Sequence, residues 1–291
     1  MKFTPIPCHE LLRPFIRNYW ILTSQCTATG TQQIFSNGAA SLQFYLTQSI
    51  RLDKGEKLYK TALFHQNMQK VDIISDKGEF NVFGAEFVPF CSKVFFRTEN
   101  DFKYATPEDL GDEEFITLSK KIFEVESLEE RVQLLDSFFV KRLSNFPEGD
   151  INIERLNDVF GDIIDTEPPS HVTAEKKPSD LASTACLSQK QFTRVFNKYV
   201  GMNPKSYLRL LRFHKALMMI QHENSSPSGD NKMGIAWQCG YYDLAHMISD
   251  FRDICGYSPS ELIASGAKLT EAFSPQFSQL MKKKIKIENL I

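Results

Sequence analysis

The chain has 291 residues, 42% of them hydrophobic and 24% charged, with a formal net charge of −2. That length accommodates two domains with separate cores, and that composition excludes a disordered or fibrous chain. No apolar run approaches the roughly 20 residues that span a bilayer, and prolines, His9 and Glu10 interrupt the N-terminus where a secretory core belongs, so the sequence predicts a cytoplasmic protein.

The first hundred residues read as β-rich. Stretches 15–23, 41–47, 57–64 and 80–88 combine aromatic and β-branched residues between Gly, Asn and Asp turns. Leu42, Phe44 and Leu46 alternate with other residues, which predicts a half-buried strand, although Tyr45 interrupts the polar side. This region is rich in phenylalanine, among them Phe35, Phe44, Phe64, Phe80, Phe83, Phe87, Phe90, Phe95 and Phe96. Such aromatics form core more often than ligand walls. Were a pocket present, Tyr45, His65 and Glu86 are the polar candidates for ligand binding.

Residues 112–145 change period. Leu128, Val132, Leu135, Phe139 and Leu143 recur every three or four positions, on one face of a helix. A weaker pattern precedes them over 115–125. The helical pair is expected to pack on the β-region, with a dimer seam as the alternative. Residues 145–150 read as a linker. A short amphipathic helix follows, with Ile153, Leu156, Phe160, Ile163 and Ile164 on one side, then a proline-rich loop over 166–178.

The last third is internally duplicated. LASTACLSQKQFTRVFNKYVGMNP aligns with IAWQCGYYDLAHMISDFRDICGYSP, pairing Leu181-Ala182 with Ile235-Ala236, Phe192 with Met247, Phe196 with Phe251, Gly201 with Gly256 and Pro204 with Pro259. The second copy has a turn one residue longer. Short helix, tight turn, longer helix and Gly-x-x-Pro is the grammar of a helix-turn-helix, and two in tandem suggest two reading heads on one DNA duplex.

In the first copy a helix over 180–187 precedes a second helix. Ser188 is its expected N-cap, Gln191 completes a capping box, and Leu187 and Phe192 stand at hydrophobic-staple positions. Phe192, Val195, Phe196 and Tyr199 form its expected buried side. Gln189, Lys190, Thr193, Arg194, Asn197 and Lys198 face outward, where Lys and Arg can donate to guanine and Thr can meet a thymine methyl. Residues 188–215 hold Lys190, Arg194, Lys198, Lys205, Arg209, Arg212 and Lys215 and no acid, so this half should supply most of the phosphate attraction.

In the second copy Asp243 is the expected cap. Leu244, Ala245, Ile248 and Ser249, with His246 nearby, take the groove-facing positions. They offer base edges little hydrogen bonding, so this half is expected to read thymine methyls or shape, or to grip backbone. Asp243, Asp250 and Asp253 argue against strong nonspecific binding here. A helix over 205–222 joins the halves, and a polar loop over 224–231 follows it.

The duplicated segments with SQKQFTRVFNKYVGMNPKSYLRLLRFHKA resemble the AraC/XylS family of bacterial transcription regulators over about 100 residues. PIPCHELLRPFIRNYW, FGAEFVPFCSKVFF and TPEDLG are similar to the sensor region of a subgroup of that family. The resemblance implies that two helix-turn-helix units enter successive major-groove segments of one duplex, with Lys190, Thr193 and Arg194 contacting DNA from the first and Leu244, Ala245, Ile248 and Ser249 from the second. Ser249 stands where the family usually has Arg, and Met247 where it has Phe.

The expected fold class is α+β. It comprises a β-rich sensor or dimerisation domain with packed helices over 1–147, an all-α domain of two helix-turn-helix units and a linker helix over 151–265, and a tail over 266–291. Double-stranded DNA is the expected partner. RNA polymerase, a small-molecule effector and a second copy of the chain are further candidates, and activation is favoured by the resemblance alone. No cofactor, metal or catalytic residue is expected: the six cysteines form no close pair and read as buried apolar residues, and no Gly-rich phosphate loop is present. Two alternatives stay open. One is a protein-interaction module; the other is a DNA-repair enzyme using an activated cysteine beside an accessory helix-turn-helix.

Overall fold

A computed structural model describes residues 2–26, 30–35, 38–65, 70–76, 78–96, 102–146, 150–165, 176–224 and 232–264. The chain divides into two compact units, one over Met1–Asp150 and the other over Ile151–Ile285. The expected tail 266–291, most of the loop 224–231 and residues 166–175 of the proline-rich loop 166–178 lie outside the described residues.

Among its described residues the first unit has ten antiparallel strands: β1 (Lys2–Ile6), β2 (Ile16–Cys26), β3 (Gly30–Phe35), β4 (Ser41–Tyr45), β5 (Ile50–Leu52), β6 (Leu58–Tyr59), β7 (Thr61–Phe64), β8 (Lys70–Ser75), β9 (Gly78–Phe87) and β10 (Tyr104–Ala105). Six form one sheet in the order β1-β2-β9-β4-β7-β10, and four form another in the order β3-β8-β5-β6. The expected strand 57–64 is therefore two strands in different sheets, because the chain changes sheet at Lys60. β2 runs past the expected end at 23, since its pairing with β9 continues to Cys26 opposite Gly78.

Registers in the larger sheet sort side chains onto two faces, because directly paired residues share a face. Tyr19, Phe83, Phe44 and Thr61 share one. Helices α1 (Ser92–Phe95), α2 (Glu113–Glu124) and α3 (Leu128–Ser144) follow in the chain. The α2 and α3 pair meets that face: the Tyr19 hydroxyl donates to Asp136 Oδ1 at 2.9 Å, Thr61 and Ser119 hydroxyls lie 2.6 Å apart, and the Phe44 and Phe123 rings are 6.3 Å apart. Phe87, Phe95, Phe96, Phe115, Phe138 and Phe139 pack edge-on or tilted around one another. The helical pair thus packs within its unit. Its burial centres on Leu135, Phe138 and Phe139, while Leu128, Val132 and Leu143 of the expected stripe are only half-buried.

The other face carries Trp20, Gln43, Tyr45, Gly84 and Glu86, and all of these except glycine's missing side chain are large groups that are buried. β4 is accordingly buried on both sides, not half-buried as its alternation predicts. Its polar side survives burial because the Tyr45 hydroxyl donates to Gln43 Oε1 at 2.7 Å. Gly84 has no room for a side chain. A Cβ there would lie 2.5 Å from the Trp20 ring and 2.6 Å from the Leu42 carbonyl oxygen.

The second unit is helical throughout its described residues: α4 (Ile151–Asp165), α5 (Pro178–Thr184), α6 (Gln189–Val200), α7 (Pro204–Asn224), α8 (Lys232–Gln238), α9 (Leu244–Cys255) and α10 (Pro259–Ala264). α5 begins and ends earlier than the expected 180–187. Pro178 opens it, where a missing N–H costs nothing, and 185–187 form the turn. α4 buries Ile153, Leu156, Val159, Phe160 and Ile163, with the Phe160 ring stacked 5.9 Å from Phe196 and edge-on to Tyr207 at 5.3 Å.

The duplication is a structural repeat. Leu181, Ala182, Phe192 and Phe196 are buried, as are Ile235, Ala236, Met247 and Phe251. The two Gly-x-x-Pro segments also do the same work. Gly201 and Gly256 end α6 and α9 at φ 75° and 83°, a left-handed conformation that glycine adopts without strain, and Pro204 and Pro259 open the next helices. Four of the five described cysteines with assigned burial follow the expectation. Cys186 departs from it: it is exposed in the α5–α6 turn at φ 52°, where the tight turn leaves its side chain no core to enter.

Candidate nucleic-acid interface

α6 is fixed at its start by the capping box that Ser188 and Gln191 predict. Gln191 N–H donates to Ser188 Oγ at 3.4 Å, and Ser188 N–H donates to Gln191 Oε1 at 3.3 Å. Phe192, Phe196, Tyr199 and Val200 hold its inner side, while Val195, expected inside, is half-buried. Gln189, Lys190, Arg194, Asn197 and Lys198 are exposed and Thr193 is half-buried, so the outer face is the expected one. The Lys198 ammonium lies 5.3 Å from the Tyr199 ring centre. No ion pair engages Lys190 or Arg194 among the described residues.

α9 is capped by Asp243, whose Oδ1 accepts from the His246 N–H at 2.7 Å. Met247 and Phe251 face inward. Ala245 and Ser249 are exposed, and Leu244, His246 and Ile248 are half-buried. The outer face over its first two turns is therefore small and mostly apolar, with the Ser249 hydroxyl exposed on it and charge only later, at Arg252 and Asp253. His246 belongs partly to the turn, its ring standing edge-on to Tyr241 at 5.3 Å.

The charge inventory changes once the helices are packed. Arg209 and Arg212 of α7 turn toward the second head. Arg209 Nε donates to Asp250 Oδ1 at 2.6 Å, its Nη2 donates to Asp253, and Arg212 Nη2 lies 3.5 Å from Asp250 Oδ2. Asp250 is only 3% exposed. Burial alone would lower the Arg209 pKa, but the Asp250 and Asp253 hydrogen bonds and charges outweigh it and push the guanidinium up. Counted along the sequence, Asp250 and Asp253 weigh against DNA and the two arginines for it. They neutralise one another, which leaves Lys190, Arg194, Lys198, Lys205 and Lys215 as the cations of that segment. Nothing in residue spacing marks this cluster, because it joins residues 41 and 44 positions apart.

In the first unit the three polar candidates do not converge on one point. Tyr45 and Glu86 share a sheet face, but β4 separates them by four residues, about 13 Å. Glu86 is held by Arg17, whose Nη1 donates to Oε1 at 2.8 Å. The irregular register at Ile16/Asn18 lets Arg17 reach that face from beside Asn18. His65 follows β7 and sits edge-on to the Phe102 ring at 5.1 Å. Arg17 and Gln43 are the polar residues that sequence reading missed here. The buried Trp20 Nε1 on the same face has no hydrogen-bond partner among the described residues.

Two heads of the same build, joined by one helix, match a helix-turn-helix domain family over residues 181–265. Residues 4–101 match a domain of unknown function. Over its helix-turn-helix region the chain is similar to transcription regulators of the AraC/XylS type. The transcriptional activator RhaS of Escherichia fergusonii is 30% identical over 122 residues, which cover 42% of this chain and 40% of RhaS. The probable transcriptional regulator LumQ of Photobacterium leiognathi is 30% identical over 108 residues, 37% of this chain and 40% of LumQ. The chain thus spans about two fifths of the length of these relatives. A looser likeness extends to ToxT of Vibrio cholerae, at 12% identity and a TM-score of 0.44 over 84% of this chain and 97% of ToxT. Among the described residues no helix is long and apolar enough to cross a membrane, and no group of three or more metal-binding side chains occurs.

Proposed function

We propose that the chain is a sequence-specific DNA-binding transcription regulator, an activator, that performs no catalysis of its own. The observation that carries this reading is the pair of capped heads on one linker helix, with unpaired cations on the outer face of α6. Lys190 and Arg194 donate to guanine edges, Thr193 meets a thymine methyl, and Gln189, Asn197 and Lys198 complete the first contact set. From α9, Leu244, Ala245 and Ile248 meet thymine methyls, with Ser249 and His246 at the edge of the contact. The name of RhaS, a transcriptional activator, supports activation, and RNA polymerase is the protein partner this reading proposes.

The first unit, over about 1–147, is the sensing or self-association domain, and 151–265 is the DNA-binding domain. An effector read by the buried polar face with Tyr45 and Glu86, or by His65, shifts the population competent to dock. Selection from a random pool of duplexes with the full chain, followed by fluorescence anisotropy, tests the reading. One enriched motif with salt-dependent affinity is expected, and no enrichment would refute it.

A further inference from the structure

The heads differ by one residue in the turn, and that residue changes what stands beside the reading helix. In the first head Leu187, half-buried, directly precedes the cap Ser188. In the second, Tyr241 takes the buried place: the Arg212 guanidinium lies 4.8 Å from its ring centre, and its hydroxyl is pushed up by burial and by the Asp250 charge. The following residue, Tyr242, is extruded and 87% exposed.

Tyr242 directly precedes Asp243, so its side chain leaves the backbone at the end of α9 that enters a groove in helix-turn-helix complexes. Its base is fixed by the Asp243 cap and by the His246 ring against Tyr241. A tyrosine on a fixed base loses little rotamer freedom on contact. The rest of this end lacks cations, since Leu244, Ala245, Ile248 and Ser249 line α9 and Arg252 comes only in its last turn. The Asp243 carboxylate already takes the N–H that a phosphate would otherwise use.

We infer that Tyr242 is a DNA-contact residue of the second head, its ring against a deoxyribose of the strand bordering the groove and its hydroxyl donating to the adjoining phosphate. The inference rests on the DNA-binding reading above. It supplies the second head with the backbone grip that its apolar face lacks, and it places that grip at the residue the longer turn adds.

The test uses the full chain and a duplex enriched from a random pool by the unaltered protein. Tyr242→p-azidophenylalanine should crosslink on irradiation to one strand of the second half-site, and Leu58→p-azidophenylalanine, at an exposed residue of the first unit, should not. Tyr242→Ala should raise Kd about ten-fold across motif variants, the loss of one hydrogen bond to a charged group, with an unchanged melting temperature. Absence of the crosslink, or a wild-type Kd for Tyr242→Ala, overturns the inference; if Arg194→Ala still weakens binding, the DNA-binding reading stands without it. If the unaltered chain enriches no duplex, both fall.

Discussion

Arg209 Nε lies 2.6 Å from Asp250 Oδ1, and this contact fastens the linker helix α7 to the second reading helix α9. Arg212 approaches the same carboxylate from its other side, so one buried acid receives two guanidinium groups. Tyr241 lies beneath Arg212, and the turn ahead of α9 is drawn into the same cluster. The cluster therefore ties the second head to the linker helix, and on the DNA-binding reading proposed above it would set where that head meets a duplex.

Asp250→Ala should therefore destabilise the second unit. It leaves two arginines facing a site that was neutral, one of them largely buried, and the expected loss is about 2–4 kcal/mol, discounted for the solvent that reaches Arg209. Thermal unfolding followed by circular dichroism checks this. An unchanged melting temperature would mean that the cluster contributes nothing to holding the heads.

Arg194 and Lys198 should separate base reading from phosphate attraction. Arg194→Ala is expected to cost about 1–3 kcal/mol on the selected motif and little on unrelated sequence. Lys198→Ala should weaken binding to all sequences and reduce the salt slope by about one. Anisotropy titrations at several salt concentrations distinguish the two patterns.

The apolar face of α9 makes a chemical prediction about the DNA. Replacing thymine by uracil in the second half-site removes only the methyl group. Each methyl that meets Leu244, Ala245 or Ile248 should cost roughly 0.8 kcal/mol when lost. Equal affinity for thymine- and uracil-containing duplexes would show that the second head reads shape or backbone alone.

The repeat was legible in the sequence because its marks are local. Glycine at a left-handed helix end, proline at a helix start and a Ser-x-x-Gln cap each carry their own conformational preference, and each stands where that preference predicts. The arginine–aspartate cluster was not legible, since charge counted along the chain says nothing about which side chains meet. Nor was the sheet topology: the split of 57–64 at Lys60 is decided by pairing of its two halves with different strands, β5 and β4, and by no mark within the segment itself. The buried polar face was read as half-exposed because Gln43 and Tyr45 satisfy one another in a way alternation cannot reveal.

The first unit offers a pH test. Burial raises the Asp112 pKa, but hydrogen bonds from Arg142 and from the Phe115 N–H, with the Arg142 charge, outweigh it and hold the carboxyl below its usual range. A depressed folded-state pKa stabilises the fold above the unfolded value, about 3.9, and that contribution disappears as pH falls through the folded value. Asp112→Asn should lower stability to urea at pH 7 and flatten its decline in acid. An identical pH profile for both proteins would remove this pair from the acid response.

The central claim is that two heads on one linker helix occupy neighbouring segments of one duplex. Hydroxyl-radical footprinting of the full chain on its selected duplex tests it most directly. Two protected patches on the same face, about 10 base pairs apart, are predicted, with the stronger one lost in Arg194→Ala. A single patch, or two on opposite faces, would contradict the account.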